Sequence, residues 1–503
     1  MDKRASGILM HITSLPGRFG IGTFGQAAFD FVDFLKETKQ TYWQILPLTT
    51  TSYGDSPYQS FSAVAGNTNL IDFDLLLAQG LLEEADLAGV DFGCDPHRVD
   101  YGLLFKVRRP LLEKAVVAFL ASADNLKKLV AFEAEQGSWL GDFAEFMAIK
   151  ESFANVALQD WPDKALLKRD KLALEKARVA LVEVINYHKV TQYFFFDQWQ
   201  ALKSYANAQG IAIIGDMPIY VAADSVEVWT QPELFKLEAN RVPKVIAGCP
   251  PDDFSDVGQL WGNPIYDWAY HDKMGYTWWI YRIQESLKLY DYLRIDHFKG
   301  FSDFWEIPQG EKTARNGKWV SGPGKALFAA VKEALGEVPV IAEDLGYIDD
   351  KARDLLAFTG FPGMKILEFG FLDTTGNSID APHTFTQHSL AYVGTHDNDV
   401  ANGWYAGLTS DQRDYANAYM HRGPRESIAH ALLRTLFASV SNTAIASMQD
   451  ILNLPAQSRM NIPNTLGGNW EWRMTADQLT DAHKAYLTHL TNLYSRANHT
   501  KGE

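Results

Sequence analysis

Eight short runs of β-forming residues, most of them ending in a polar or acidic residue, recur along this chain. They are Gly7-Ile-Leu-Met-His-Ile-Thr13, Tyr42-Trp-Gln-Ile-Leu-Pro-Leu48, Ile211-Ala-Ile-Ile-Gly-Asp216, Asp291-Tyr-Leu-Arg-Ile-Asp296, Val338-Pro-Val-Ile-Ala-Glu343, Met364-Lys-Ile-Leu-Glu-Phe369, Ala391-Tyr-Val-Gly-Thr-His-Asp397 and Thr443-Ala-Ile-Ala-Ser-Met-Gln-Asp450. Amphipathic helical patterns separate several of them. Residues 26–36 place Phe29, Phe31, Val32 and Leu35 at helical spacing, and residues 325–335 do the same with Leu327, Phe328, Val331 and Leu335. Strand–helix alternation demands a parallel sheet. Eight such units predict an α/β fold, a closed (β/α)8 TIM barrel, whose active site forms at the C-terminal ends of the strands.

The spacing of the runs predicts a single catalytic domain over residues 1–503 with two insertions. About 160 residues lie between the second and third runs. Much of that stretch is charged and helical in pattern, residues 164–186 for example, so a largely helical subdomain is expected over about 52–200. A second insertion, about 217–275, is rich in Pro, Gly and Trp and reads as loops over the active site. Only 53 residues follow the eighth run, which is too few for a C-terminal β-sandwich.

Bulk composition narrows the partners. Apolar residues make up 47% of the chain and charged residues 21%, ordinary for a globular protein with a large core. The net charge of −16 argues against nucleic acid, because an acidic surface releases no counterions from a phosphate backbone. No run of about 18 apolar residues exists to span a bilayer, and the start of the chain lacks the apolar stretch of a secretory signal. Cys94 and Cys249 are too few for a disulfide framework or a zinc site. Together these predict a cytoplasmic protein with no membrane partner.

Three acids at run ends carry the chemistry. Cleaving a glycosidic bond with retention needs two carboxyl groups of unlike pKa about 5–5.5 Å apart. Arg294 and Asp296 fall on one strand at period two, so a fixed cation is expected to keep Asp296 ionised and nucleophilic. Glu343 ends the apolar run Val338-Pro-Val-Ile-Ala, where desolvation suits it to general acid/base work. Asp397 follows His396, and the two could grip sugar hydroxyls. Two other readings compete at this level: acids at strand ends often cap the next helix, and a His–Asp cluster could hold a divalent ion. The spacing fits no compact metal motif.

Four segments resemble the conserved regions of the α-amylase clan: Asp216-Met-Pro-Ile-Tyr-Val221, Leu293-Arg-Ile-Asp-His-Phe298, Ala342-Glu-Asp-Leu-Gly346 and Gly394-Thr-His-Asp-Asn398. Around them the chain resembles the amylomaltase (4-α-glucanotransferase, disproportionating enzyme) family from about residue 7 to 473. The motifs are Ser56-Pro-Tyr-Gln-Ser60, Pro250-Pro-Asp-Asp-Phe-Ser255 with Gly258-Gln-Leu-Trp-Gly-Asn-Pro264, and Arg459-Met-Asn-Ile-Pro463 followed by Gly468-Asn-Trp470. The resemblance implies that Asp296 is the nucleophile, Glu343 the acid/base and Asp397 a ligand of the distorted sugar's 2- and 3-hydroxyls. It places Arg294, His297 and His396 in the same subsite, Tyr58 against the sugar, and Gln259 and Trp261 on a loop over the acceptor side. Asn461 is a further substrate-binding candidate, Asp373 a possible donor contact, and Tyr101 a match to a remote glucan groove.

The implied substrates are maltooligosaccharides and α-1,4-glucans as donor and acceptor, with glucose as an acceptor, and neither cofactor nor metal. An amylase-type hydrolase and a catalytically silent glucan-binding barrel are the alternatives. Two departures from the family pattern bear on loop shape: Asn464 replaces the usual Gly, and residues 373–388 diverge.

Overall fold

The computed structural model describes residues 1, 3–251, 255–346 and 348–498. Its centre is a (β/α)8 barrel of eight parallel strands: Ala5–Leu9, Tyr42–Gln44, Ala212–Met217, Tyr292–Ile295, Val340–Ala342, Gly363–Ile366, Ser389–Tyr392 and Thr443–Ser447. They are the first to eighth barrel strands below. Each of the eight expected runs overlaps a strand, and most strands end before their runs do. Asp296 and Glu343 therefore stand one residue past a strand end, and Asp397 five residues past one. The eighth strand pairs with the first, Ala5 opposite Thr443, so the sheet wraps back on itself. Among the described residues only the fifth and sixth strands lack a ladder, and the backbone bond there runs from Ala342 N–H to Pro362 O at 3.0 Å.

The helices that cover the barrel follow their apolar periodicity. The helix Gln26–Glu37 buries Ala28, Phe31, Val32, Phe34 and Leu35 against it. Each large apolar side chain removed from water there contributes roughly 1.5–3 kcal/mol before chain entropy is counted. The helix Lys325–Leu335 buries Leu327, Phe328 and Val331 in the same way.

Between the second and third strands lie several helices, the longest being Tyr101–Leu120 and Val182–Ala208. The segment expected to be loop-rich differs from that reading. Val245–Cys249 and Gln259–Pro264 are antiparallel strands, and they join Asp303–Pro308 and Lys318–Ser321, which follow the fourth barrel strand, in a four-stranded sheet. Glycines and a register shift between Ile246 and Gly248 hide these strands from a period-two pattern. Of the run 250–255, residues 252–254 lie outside the described residues. Among the described residues, no helix is long and apolar enough to cross a membrane.

The end of the chain locks the barrel. Arg496 is fully buried, and burial lowers its pKa to about 9. Its guanidinium donates to the carbonyls of Phe437 (2.8 Å), Ser439 (3.0 Å), Ser441 (3.0 Å) and Ala5 (2.9 Å), so one side chain ties the first strand to the approach of the eighth. Arg496→Met removes its donors from all four carbonyls, of which Phe437 O and Ser439 O keep only a bond from Arg4. It should lower the unfolding free energy by about 3–5 kcal/mol, read as a shifted midpoint in urea unfolding.

Candidate active site

The site is built around one buried cation. Arg294 lies on the fourth barrel strand with its side chain 3% exposed. Asp216, on the third strand, is its register partner. Both Asp216 oxygens accept from Arg294 Nη1, at 2.7 and 2.8 Å, and the same nitrogen reaches Asp296 Oδ1 at 3.1 Å. Arg294 Nε points the other way, to Met364 Sδ at 3.4 Å on the sixth strand. The Tyr58 hydroxyl donates to Asp216 Oδ2 at 2.8 Å. Asp216 was not among the expected site residues, although it ends the third run; a charge at that position is the signal that could have found it.

Sharing the cation corrects the simplest expectation for Asp296. Arg294 does favour its charged form, but burial is the larger influence, and Asp216, Glu343 and Asp397 crowd it with like charge. The net direction is upward, well above the usual carboxylate range, even though 27% of the side chain is open to the cleft. Glu343 is raised as well, mainly by burial. Groups this close lose their protons as a pair rather than singly.

Glu343 is fixed by backbone, not by helix capping. Its Oε2 accepts from His297 N–H at 2.6 Å and its Oε1 from Leu345 N–H at 3.0 Å. The first bond requires His297 to turn its amide toward the fifth strand, and that residue adopts φ 51°, ψ 50°, a left-handed conformation uncommon outside glycine. Strain tolerated next to the reacting carboxylates is a mark of a functional site. The His297 ring meets Trp261 edge-on at 4.9 Å, and Trp261 Nε1 donates to Gln259 Oε1 at 3.1 Å. The four-stranded sheet thus delivers Trp261 to the site, with Gln259 orienting it.

Asp397 is held from the C-terminal segment. Asn461 Nδ2 donates to its Oδ1 at 2.6 Å, and Arg459 Nη2 donates to its backbone carbonyl at 2.6 Å. His396 Nε2 lies 3.4 Å from its Oδ2. The His396 ring stacks on Tyr58 with centroids 5.2 Å apart and planes 13° from parallel, and Trp470 leans on both. Burial lowers the pKa of His396, and that of His297 falls to about 4. Both imidazoles are neutral near pH 7, so they offer hydrogen bonds to a sugar rather than charge.

Two expected residues sit differently. The Tyr101 hydroxyl donates to the Trp470 carbonyl at 2.9 Å, which connects it to the aromatic stack beside Tyr58. The Asp373 carboxylate accepts from Thr375 N–H and Oγ1 at 2.8 and 2.9 Å, closing a turn of its own. Asn464 has φ +62°, a left-handed conformation that glycine adopts freely and asparagine tolerates best among the rest. The departure from the family's glycine therefore preserves the backbone. Among the described residues, no group of three or more His, Cys, Asp or Glu is arranged to hold a metal ion.

This geometry can present one carboxylate and one carboxylic acid to a bond held in a cleft of neutral imidazoles and aromatic faces. A family model described as 4-alpha-glucanotransferase matches residues 10–480. The chain is 58% identical to a 4-alpha-glucanotransferase of Streptococcus pneumoniae, over 99% of this chain and 98% of that one. It is 44% identical to one of Thermus thermophilus, over 96% and 97%. Among solved structures, an amylomaltase from Streptococcus agalactiae in complex with acarbose superposes with a TM-score of 0.98 at 62% identity, covering 99% of this chain and 100% of that one.

Two outcomes test this geometry. Asn461→Ala removes the 2.6 Å donor to Asp397 and should lower kcat about 10- to 100-fold, a loss of about 1.4–2.7 kcal/mol of transition-state stabilisation. The thermal midpoint should stay within a few degrees of the parent. Asp450, buried three residues past the eighth strand, accepts from Ala401 N–H at 2.8 Å, and burial pushes its pKa up to about 6. A raised carboxyl pKa stabilises the fold fully below its unfolded value, and that contribution is lost as pH rises through about 6. Asp450→Asn keeps the acceptor without the charge. It should therefore gain as much as about 3 kcal/mol over the parent at pH 7 and nothing at pH 4, read by denaturant unfolding at the two pH values.

Proposed function

The chain belongs to the 4-alpha-glucanotransferase family and transglycosylates α-glucans, and from this we propose how its own residues perform the transfer. Asp296 attacks the anomeric carbon of the donor glucosyl unit while Glu343 gives its proton to the departing glycosidic oxygen. The C1–O bond to the leaving chain breaks as the Asp296–C1 bond forms, leaving a covalent glucosyl-enzyme. Glu343, now ionised, takes the proton of an acceptor 4-hydroxyl as that oxygen displaces Asp296. Configuration is retained because two displacements occur.

The observation that carries this assignment is the convergence of three acids at one end of the barrel: Asp296 and Glu343 both feel Arg294, and Asp397 acts on Asp296 by its like charge. The upward direction of both carboxyls supports it, since a retaining mechanism starts with one proton on such a pair. The glycosidic oxygen, an acceptor in front of Glu343, draws that proton onto Glu343 and leaves Asp296 to the cation. Asp397, held by Asn461, grips the 2- and 3-hydroxyls as the ring flattens toward an oxocarbenium-like state.

Trp261 and Gln259, carried by the small sheet, form the acceptor side, where a bound sugar has a proximity advantage over water. The substrates are maltooligosaccharides and other α-1,4-glucans, with glucose as the smallest acceptor. The acidic surface and these neutral substrates fit an enzyme working in the cytoplasm without a membrane or nucleic-acid partner.

Incubation with maltotriose should give glucose together with a ladder of longer chains. Glucose and maltose alone would instead mark a hydrolase. Glu343→Gln should lower kcat by about 10²–10⁴-fold while calorimetric binding of maltooligosaccharide persists; an unchanged kcat would remove Glu343 from its role.

A further inference from the structure

The barrel has one weak seam, between the fifth and sixth strands, and it opens directly beside Glu343. Asp344 fills it. Its Oδ1 accepts from Met364 N–H at 2.6 Å, the amide that a ladder partner would otherwise take. The carboxylate lies so close to the sixth strand that a Cβ on Gly363 would stand 2.4 Å from Asp344 Oδ2 and 2.7 Å from its Cγ. No side chain fits at Gly363 while Asp344 keeps this place. The next residue, Met364, receives Arg294 Nε on its sulfur at 3.4 Å, so the amide that Asp344 holds belongs to a residue touching the central cation.

We propose that Asp344 is a positioning residue for the acid/base Glu343, closing the barrel seam through Met364 N–H and setting the charge next to the reacting carboxyl. The proposal rests on Glu343 being the acid/base. Two consequences follow from the placement. First, the two carboxyls are adjacent in sequence and are held by different strands, Glu343 by His297 N–H and Asp344 by Met364 N–H. The short segment between the strands is thereby pinned from both sides, and Glu343 cannot swing without breaking one of the two bonds.

Second, an ionised Asp344 disfavours charge on Glu343. The other groups facing Glu343 are Arg294, which opposes that effect, and Asp296, which shares it. Around Asp344 itself stand Lys365 and Asp380, of opposite sign. Asp344 is therefore placed to keep Glu343 protonated to higher pH than the barrel alone would.

The test is the pH dependence of kcat for maltotriose disproportionation in Asp344→Asn, Asp344→Ala and Glu343→Gln. Asp344→Asn keeps an oxygen for Met364 N–H and removes the charge. Its kcat at the optimum should stay within about threefold of the parent, with the alkaline limb moved to lower pH. Asp344→Ala loses clamp and charge together, and its kcat should fall at least tenfold with KM changed less than about twofold. A limb in Asp344→Asn that superimposes on the parent, or an Asp344→Ala kcat within twofold of it, overturns the inference.

A purely structural role would lower the melting temperature and leave the limb in place. If Asp344→Asn does not fold, Gly363→Ala serves: its methyl displaces the carboxylate, so kcat should fall at least threefold, and an unchanged kcat overturns the inference. Glu343→Gln separates the two assignments. If it still turns over, Glu343 is not the acid/base and this inference falls with it. If it is inactive and the Asp344→Asn limb does not move, only the role of Asp344 falls.

Discussion

Everything at the mouth of this barrel depends on one buried ion pair, Arg294 with Asp216. Taking each ion out of water costs several kcal/mol, and the cost is offset only when geometry and further hydrogen bonds are good. Here the two carboxylate oxygens meet one guanidinium nitrogen, Tyr58 supplies a donor to the acid, and Met364 sulfur meets the opposite side of the cation. The pair spans register partners on the third and fourth strands. A slip of one residue would turn one of the two side chains to the other face of the sheet and leave both charges unpaired among apolar neighbours. The charge that holds Asp296 in place also specifies how the strands align.

The same pair explains why carboxyl groups of such different duty can share a small volume. Arg294 is divided among its acids, so it offsets their repulsion without abolishing it. Burial and like charge therefore still push the carboxyls of Asp296 and Glu343 upward. Asp397 is held apart from the cation: its partners, Asn461 and Arg459, come from the segment after the eighth strand.

Much of this was legible beforehand because strand ends in a (β/α)8 barrel are predictable from short β-forming runs. Each of Asp296, Glu343 and Asp397 ends such a run, and the motifs around them assign their separate roles. Asp216 ends a run as well, yet a lone acid there gives no sign that its partner is Arg294, 78 residues later. The four-stranded sheet was hidden for a different reason: its strands come from segments before and after the fourth barrel strand, and short ladders with bulges leave no periodic pattern. The left-handed His297 was also invisible, because nothing local favours it; the bond from its amide to Glu343 does. The turn that Asp373 makes with Thr375 was equally hidden, since the sequence offered that acid only as a donor contact.

The closing of the barrel by its last residues sets an order of events during synthesis. Ala5 waits at the beginning of the chain for Thr443 and for the Arg496 guanidinium, and Asp397 waits for Asn461. A nascent chain on the ribosome, even one that has already folded its helical insertion and its first strands, holds an unfinished sheet with an open edge and a misplaced carboxylate. Long-range closure of this kind is slow and leaves apolar surface uncovered while it is pending. Partly made chains therefore lack both the closed sheet and the Asn461 bond to Asp397.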